Sequence, residues 1–230
     1  MPDRDDIWYA ARQTRVVLAP KKWIETFGET CIRYSVLSAL LDTVDDVRIR
    51  QGRILAERPR VITPRYFVNQ ALENFGEEAR QYAEWFLSSN EGLRILEYGL
   101  RFRKEEHGEQ VVHGDIDEIA AQVSKDAEKN TSEVCGVLIG VDDLWEVSLF
   151  KFTSDVVRGS VPHNYQDLAG QGLLEAASGG VPNAVRVEIE CDFRDAAGKG
   201  DRVKLLGQKL RRYGLFQEYE DRFYGLLKKL

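Results

Sequence analysis

The chain has 230 residues, 43% of them hydrophobic and 30% charged, and it carries a formal net charge of −6. These proportions are ordinary for a globular protein, and the length allows one large domain or two small ones with a substantial core. The acidic balance disfavours nucleic acid as a partner, and above all binding over the whole surface, because the summed field of the protein repels phosphate. A local basic patch is compatible with this balance.

Three features of the sequence predict a cytoplasmic protein. The N-terminus, MPDRDDIWYA, lacks the apolar core of a secretory signal. The longest apolar runs are far below the roughly 20 residues of a membrane span, so we expect no membrane as a partner. Cys31, Cys135 and Cys191 are widely spaced and odd in number, which is typical of reduced thiols rather than of a disulfide framework.

The first elements predicted along the chain are strands. Residues 15–19 (RVVLA) form a β-prone run that ends at Pro20. Residues 31–41 (CIRYSVLSALL) fit either a strand or a helix face. The alternation of Ile32, Tyr34 and Val36 favours a strand at the start of this segment.

The next stretch, from Arg48 to Arg65, contains six arginines and a single acid, Glu57. Apolar residues alternate with arginines on both sides of Gln51-Gly52, and this pattern predicts a hairpin over residues 47–57 with its turn at that dipeptide. One face of the hairpin is expected to be apolar and buried, and the other charged and accessible. The residues predicted to be buried are Val47, Ile49, Ile54 and Ala56.

The charged face of this hairpin is the candidate binding site. The predicted turn places Arg50 opposite Arg53, where like charges repel unless solvent, a carboxylate or a bound anion lies nearby. Guanidinium groups also present a fixed fork of donors that suits phosphate and carboxylate. We therefore predict an accessible anion-binding site at Arg48, Arg50 and Arg53. The competing interpretation is a solvated strand face whose arginines protect an exposed edge.

The middle of the chain is predicted to mix helix and strand. Two helices are expected between residues 63 and 86, with Thr63 as the N-cap of the first, and a strand follows at 96–102. Residues 110–157 then follow a strand, helix, strand, helix order, with strands at 110–113 and 134–141. Asp115 and Asp143 are the predicted helix caps. Such a unit is typical of strands that pair in parallel.

Only helices are predicted after residue 165, and breaks are expected at residues 159–164, 178–183 and 197–201. The predicted fold class is therefore α+β, with a mixed sheet and flanking helices in residues 1–158 and a helical region in residues 159–230 that packs on the same domain. The last helix places Phe216, Tyr219, Phe223 and Leu227 on one side, which predicts a packed element. That side packs either on the chain's own core or on a second copy in a homo-oligomer.

Two further groups have the composition of a site for metal or acid–base chemistry. The richest in metal ligands comprises Glu105, Glu106, His107, His113, Asp115 and Asp117. Turn and cap chemistry explains this group better, so we predict no metal. Asp142 and Asp143 follow the apolar strand, where ligands bind in parallel sheets, and paired carboxylates suit magnesium or a shared proton. The alternative is that Asp143 caps a helix and Asp142 is its solvated neighbour.

No sequence pattern for a nucleophile, a dinucleotide or a nucleoside triphosphate is present, so we predict no cofactor and no catalytic residue. The sequence favours a protein without enzymatic activity that binds an anionic ligand or a protein partner, or assembles with other proteins. The alternative is an enzyme acting on a phosphorylated or carboxylated small molecule through Asp142 or Asp143. An enzyme requires the arginines and aspartates to converge on one pocket, whereas a binding protein does not.

Overall fold

The computed structural model describes residues 4–63, 66, 95–129, 134–176 and 180–228. The chain divides into two compact units: unit 1 is Met1–Pro59 with Tyr98–Asn164, and unit 2 is Arg60–Glu97 with Tyr165–Leu230. The helices predicted between residues 63 and 86 lie, apart from Thr63 and Tyr66, outside the described residues. The Oγ1 atom of Thr63 accepts a hydrogen bond from the backbone N–H of Tyr66 at 3.2 Å, as an N-cap does.

Unit 1 is built around a five-stranded mixed sheet. Its elements are α1 (Arg4–Gln13), β1 (Arg15–Leu18), β2 (Thr30–Ala39), β3 (Asp46–Ala56), β6 (Leu100–His113), α2 (Ile116–Glu128), β7 (Val134–Ile139), a 3-10 turn (Asp142–Leu144) and the first part of α3 (Trp145–Gly170). The strand order is β1-β7-β2-β3-β6, and only β2 and β7 pair in parallel.

Each face of this sheet packs against a helix. On the face against α2, which we call the α2 face, the core residues are Leu37, Val47, Ile49, Ala120 and Val137. On the opposite face, the α3 face, they include Ile32, Val36, Ile54, Leu138 and Phe152. Because both faces are covered, a central strand buries successive side chains, and this explains the continuous apolar run of β7.

The predicted hairpin at residues 47–57 is wrong. Residues 46–56 form one strand, β3, and Gln51-Gly52 lies inside it. The hairpin consists instead of β2 and β3, so the ambiguous segment 31–41 is a strand from its start. Pairing on both sides of β3 overrides the local preference for a turn. The pairing of β3 with β6 is irregular at this dipeptide and contains a bulge: Arg50 lies opposite Glu109 of β6, whereas Gly52, two residues later, lies opposite Lys104.

The predicted burial in this segment is confirmed for the apolar residues. Val47 and Ile49 are buried on the α2 face, whereas Ile54 and Ala56 are buried on the α3 face. A single strand between two helical layers buries residues on both of its sides. The predicted hairpin would have placed all of them on one side.

The predicted strand–helix–strand–helix order of residues 110–157 is confirmed by β6, α2, β7 and α3. The strands β6 and β7 run in the same direction, but β3 and β2 lie between them. The cap of α2 is also confirmed: Asp115 accepts hydrogen bonds from the backbone N–H groups of Asp117 at 2.9 Å and Glu118 at 3.1 Å.

The predicted helix break at residues 159–164 is wrong, because α3 continues through Pro162 to Gly170. Proline removes one backbone hydrogen bond, but neighbouring side chains fix this turn of the helix. Ser160 Oγ accepts a hydrogen bond from the N–H of Ile24 at 3.0 Å, and Asn164 Nδ2 donates to the carbonyl of Ile24 at 2.7 Å. Tyr98 donates to Asn164 Oδ1 at 2.8 Å, and burial raises the pKa of this phenol to about 12.

Unit 2 is largely helical. Its remaining elements are β4 (Arg60–Ile62), β5 (Ile95–Glu97), α4 (Asn183–Asp195), α5 (Gly200–Arg212) and α6 (Glu220–Leu227). Phe223 of α6 is buried in a cluster that Phe216 and Tyr219 contact, so the predicted packing of this segment is confirmed. The predicted helix starts too early, because α6 begins at Glu220, and Phe216 and Tyr219 precede it. Leu227 is exposed. Assembly of two copies through this helix stays a prediction.

The fold is α+β, with a mixed sheet and a helical C-terminal portion, as predicted. The division between residues 158 and 159 stays a prediction. The sequence did not indicate that Arg60–Glu97 groups with the C-terminal unit. Within the described residues, no helix has the length and apolarity needed to cross a membrane.

Candidate functional site

The candidate site is a group of charged residues on the α3 face of the sheet. Arg48 and Arg50 lie on this face because alternate residues of a strand point to the same side. Asp142, in the 3-10 turn that follows β7, contacts both arginines, and Glu109 of β6 contacts them as well. We call these four residues the arginine–carboxylate cluster.

Asp142 holds the two arginines in place. Arg48 Nη1 donates a hydrogen bond to Asp142 Oδ2, and Arg50 Nη1 donates to Asp142 Oδ1, both at 2.7 Å. The side chains of Arg50 and Asp142 are only 12% and 15% exposed. Charge-assisted hydrogen bonds of this length are strong where the groups are largely shielded from solvent, so the two guanidinium groups have fixed orientations.

Glu109 is held more loosely by the same arginines. Its Oε1 atom lies 3.2 Å from Arg48 Nε, and its Oε2 atom lies 3.7 Å from Arg50 Nε. Its side chain is 59% exposed. An exposed ion pair with such distances contributes little to stability.

The cluster also includes an aromatic ring and the Nη2 groups of the two arginines. The guanidinium carbon of Arg50 lies 5.3 Å from the ring centre of Trp145, at the start of α3, which is a cation–π distance. The Nη2 groups of Arg48 and Arg50 make no hydrogen bond to any described residue. The pair therefore retains donors that Asp142 does not use.

Arg53 does not belong to this cluster. It is the register partner of Arg33 and lies on the α2 face. The prediction that Arg48, Arg50 and Arg53 share one accessible face is therefore wrong, since it depended on a turn at Gln51-Gly52. Arg53 is exposed as predicted, but Arg50 is mostly buried and contacts Trp145 and Asp142.

Asp142 and Asp143 also differ from their predicted roles. The residue before the 3-10 turn is Val141, and no side chain caps this turn, so Asp143 is not the N-cap. Asp143 is exposed, whereas Asp142 is mostly buried rather than a solvated neighbour. The structure thus brings together residues that the sequence had assigned to two separate candidate sites, namely the arginines of β3 and Asp142 after β7. Both Asp142 oxygens accept from guanidinium groups, which suits a role in holding these groups rather than in transferring a proton.

The sequence predicted turn and helix-cap contacts, rather than a metal, for the group of histidine and acidic residues between 105 and 117, and the structure describes part of this group. Asp115 is a helix cap, and His113 Nδ1 lies 3.1 Å from Asp46 Oδ1. The hydrogen bond from His113 holds the pKa of Asp46 below its usual range. The side chains of Glu105, Glu106 and His107 lie outside the described residues. No cluster of histidine, cysteine and acidic residues suited to a metal occurs in the described part of the chain. The absence of a metal stays a prediction.

Sequence reasoning missed Glu109 and Trp145 as members of this site. Glu109 meets Arg50 only because of the register after the β6 bulge, and no local pattern reveals that register. Trp145 begins a helix two residues after Asp143, so its position next to the predicted aspartates was the available signal.

Comparison with protein-family models, curated proteins and solved structures finds no similar protein.

Proposed function

We propose that the protein binds an anionic ligand, without catalysing a reaction, through Arg48 and Arg50 of the arginine–carboxylate cluster. The observation that supports this proposal is the pair of guanidinium groups, which Asp142 orients and whose Nη2 groups have no hydrogen bond to the described residues. Two fixed guanidinium groups side by side match the oxygens of a phosphate or a carboxylate. Because their orientation is already set, a ligand loses little free energy in ordering them.

Glu109 is the group that the ligand replaces. Its exposed carboxylate makes the longer contacts in the cluster, whereas Asp142 makes the shorter and drier ones. Replacing one carboxylate by an external anion conserves the balance of two arginines and two negative groups. Glu109 is therefore an internal competitor that keeps the site neutral when no ligand is bound.

The alternative, an enzyme that uses Asp142 or Asp143, has less support. Asp142 is committed to both arginines. Asp143 is exposed, and it has no ion pair with the described residues. Acid–base catalysis needs a carboxylate directed at the substrate, and neither residue fits that role in this geometry.

The cellular setting and the source of the anion are part of the proposal. None of the cysteines Cys31, Cys135 and Cys191 forms a disulfide, which supports a reducing compartment such as the cytoplasm. The anion is either a free small molecule or an acidic segment of a protein partner, because both present the same oxygens to the arginines.

Trp145 fluorescence provides a direct test, since the ring lies against Arg50. Titration with inorganic phosphate and with citrate, at constant ionic strength, is expected to give a saturable change that disappears in Trp145→Phe. Arg48→Gln should weaken binding about tenfold. Glu109→Gln should strengthen it up to about fivefold, because an exposed ion pair is worth at most about 1 kcal/mol.

Arg158→Gln is the matched control, because Arg158 is an exposed arginine of α3 outside the cluster, and it should leave both titrations unchanged. The proposal is wrong if neither anion gives a saturable change, or if Glu109→Gln binds more weakly than the unaltered protein. An acidic peptide that binds where phosphate and citrate do not would identify a protein partner as the source of the anion.

A further inference from the structure

The helix α3 is apolar on two sides. One side packs on the sheet through Leu149, Phe152 and Val156, which are buried in the core of unit 1. The other side faces outward, and there Phe150 is 68% exposed and Val161 is 37% exposed. A helix that covers one face of a sheet needs a single apolar side, so packing on the sheet does not account for the second one.

The outward apolar residues have the spacing of a helix that packs lengthwise on another helix. They recur at intervals of three and four residues, which is the spacing of the a and d positions of a heptad. The run spans two heptads, or about 21 Å along the helix axis. Its members are exposed or half-buried, and we call them the α3 seam: Val147, Phe150, Ser154, Val157 and Val161.

Two charged residues of opposite sign flank the α3 seam. Glu146 occupies the g position before Val147, and Lys151 occupies the e position after Phe150. Neither makes an ion pair with a described residue, although Lys151 Nζ donates a long hydrogen bond of 3.5 Å to the backbone carbonyl of Thr14. The two residues are five positions apart on opposite flanks of the helix, so they do not pair with each other within one copy.

We infer that two copies of this chain associate through the α3 seam, with their α3 helices side by side and parallel. Parallel pairing about a two-fold axis places Glu146 of each copy across from Lys151 of the other, which gives two pairs of opposite charge. Antiparallel pairing would bring together the e positions, Lys151 and Arg158, whose like charges repel. Charge complementarity therefore favours a second copy of the chain as the occupant and the parallel orientation.

The association is expected to be weak and reversible. A seam of two heptads buries less surface than a standard protein–protein interface, which places the dissociation constant in the micromolar range. The exposed ring of Phe150 is its largest apolar group. The inference does not depend on anion binding, because no member of the α3 seam belongs to the arginine–carboxylate cluster.

Sedimentation equilibrium of the full chain measures the association. A monomer–dimer equilibrium should appear between about 1 and 200 μM, and Phe150→Gln should raise the dissociation constant about tenfold. Leu227→Gln is the matched control, because Leu227 is an exposed leucine of α6, the other helix for which assembly was predicted. It should leave the dissociation constant unchanged.

Charge reversal tests the pairing between copies. Glu146→Lys and Lys151→Glu each place like charges across the α3 seam, so each alone should raise the dissociation constant about fivefold. The double variant recreates two pairs of opposite charge and should bind as the unaltered protein does. Circular dichroism of each variant checks that the fold is retained.

A disulfide tests the orientation. In a parallel dimer residue 154 of one copy lies across from residue 154 of the other, so mild oxidation of Ser154→Cys should link two copies. Asp155→Cys is the control, because Asp155 is the next residue of α3, is exposed and lies away from the α3 seam, and this variant should stay unlinked.

The inference is overturned if the chain sediments as a monomer over the whole range, or if Leu227→Gln weakens the dimer and Phe150→Gln does not. Failure of the double reversal to restore association would also overturn it, as would equal cross-linking of Ser154→Cys and Asp155→Cys.

Discussion

Replacing Asp142 by asparagine removes one charge from the centre of the arginine–carboxylate cluster while retaining the shape of the side chain. The carboxylate accepts hydrogen bonds from Arg48 and Arg50 at 2.7 Å, and asparagine has a single acceptor oxygen for these two donors. The change leaves two adjacent guanidinium groups whose remaining counter-charge is Glu109. The longer contacts of Glu109 do not replace those of Asp142.

The cost follows from burial and charge. A hydrogen bond between charged groups contributes about 1.5–3 kcal/mol, and removing one partner of a fully buried pair costs about 3–5 kcal/mol. The side chains of Arg48 and Arg50 are 29% and 12% exposed, so water screens part of the uncompensated charge. We therefore expect Asp142→Asn to lower the free energy of unfolding by about 2–3 kcal/mol.

Urea denaturation followed by circular dichroism measures this change. Asp143→Asn is the matched control, because Asp143 is the neighbouring aspartate and is exposed, and its effect should stay within about 0.5 kcal/mol. Adding Arg50→Gln to Asp142→Asn should restore part of the lost stability, since it removes one of the uncompensated charges. If Asp142→Asn and Asp143→Asn have equal effects, the cluster is not a stabilising ion-pair network and the reasoning is refuted.

Three further predictions concern packing, buried hydrogen bonds and pH. Gly136→Ala should destabilise by about 1–3 kcal/mol in thermal melts, because its Cβ would lie 2.2 Å from the buried ring of Phe152, and Phe152→Leu should restore part of the loss. Asn164→Ala should cost about 2–4 kcal/mol in urea, since the carbonyl of Ile24 and the hydroxyl groups of Tyr98 and Thr26 lose their hydrogen bonds with Asn164; an effect below 1 kcal/mol would contradict this. The hydrogen bond from Arg186 holds the pKa of Glu218 below its usual range, so the contribution of this pair to stability is fully present above the usual glutamate pKa and is lost as the pH falls through the lowered pKa. Arg186→Gln should therefore reduce the loss of stability between about pH 5 and pH 3.

The sequence by itself determined the elements whose causes are local or periodic. Asp115 caps α2 because its carboxylate reaches N–H groups two and three residues away, and the residues alone contain that information. The continuous apolar run of β7 indicated a strand covered on both faces. A strand with one face in water alternates apolar and polar residues instead. The apolar residues Phe216, Tyr219 and Phe223 indicated a packed segment at the end of the chain, although the helix itself begins only at Glu220.

Only the tertiary structure decided the elements that depend on distant partners. Gln51-Gly52 is a good turn dipeptide, but pairing of β3 with a strand on each side stabilises an extended conformation there more than a turn would. Pro162 is a good helix breaker, yet Asn164 holds the continued helix to a segment 140 residues earlier in the chain.

The candidate site shows the same division. The sequence identified Arg48, Arg50 and Asp142 as residues of interest, because arginines in an acidic chain and an aspartate after a buried strand are unusual locally. It did not show that they meet, since 94 and 92 residues separate the arginines from the aspartate. Parallel pairing of β2 with β7 places the end of β7 level with Ile49 of β3, across β2, so that Asp142 reaches Arg48 and Arg50. The continuous strand β3 places Arg53 on the opposite face of the sheet.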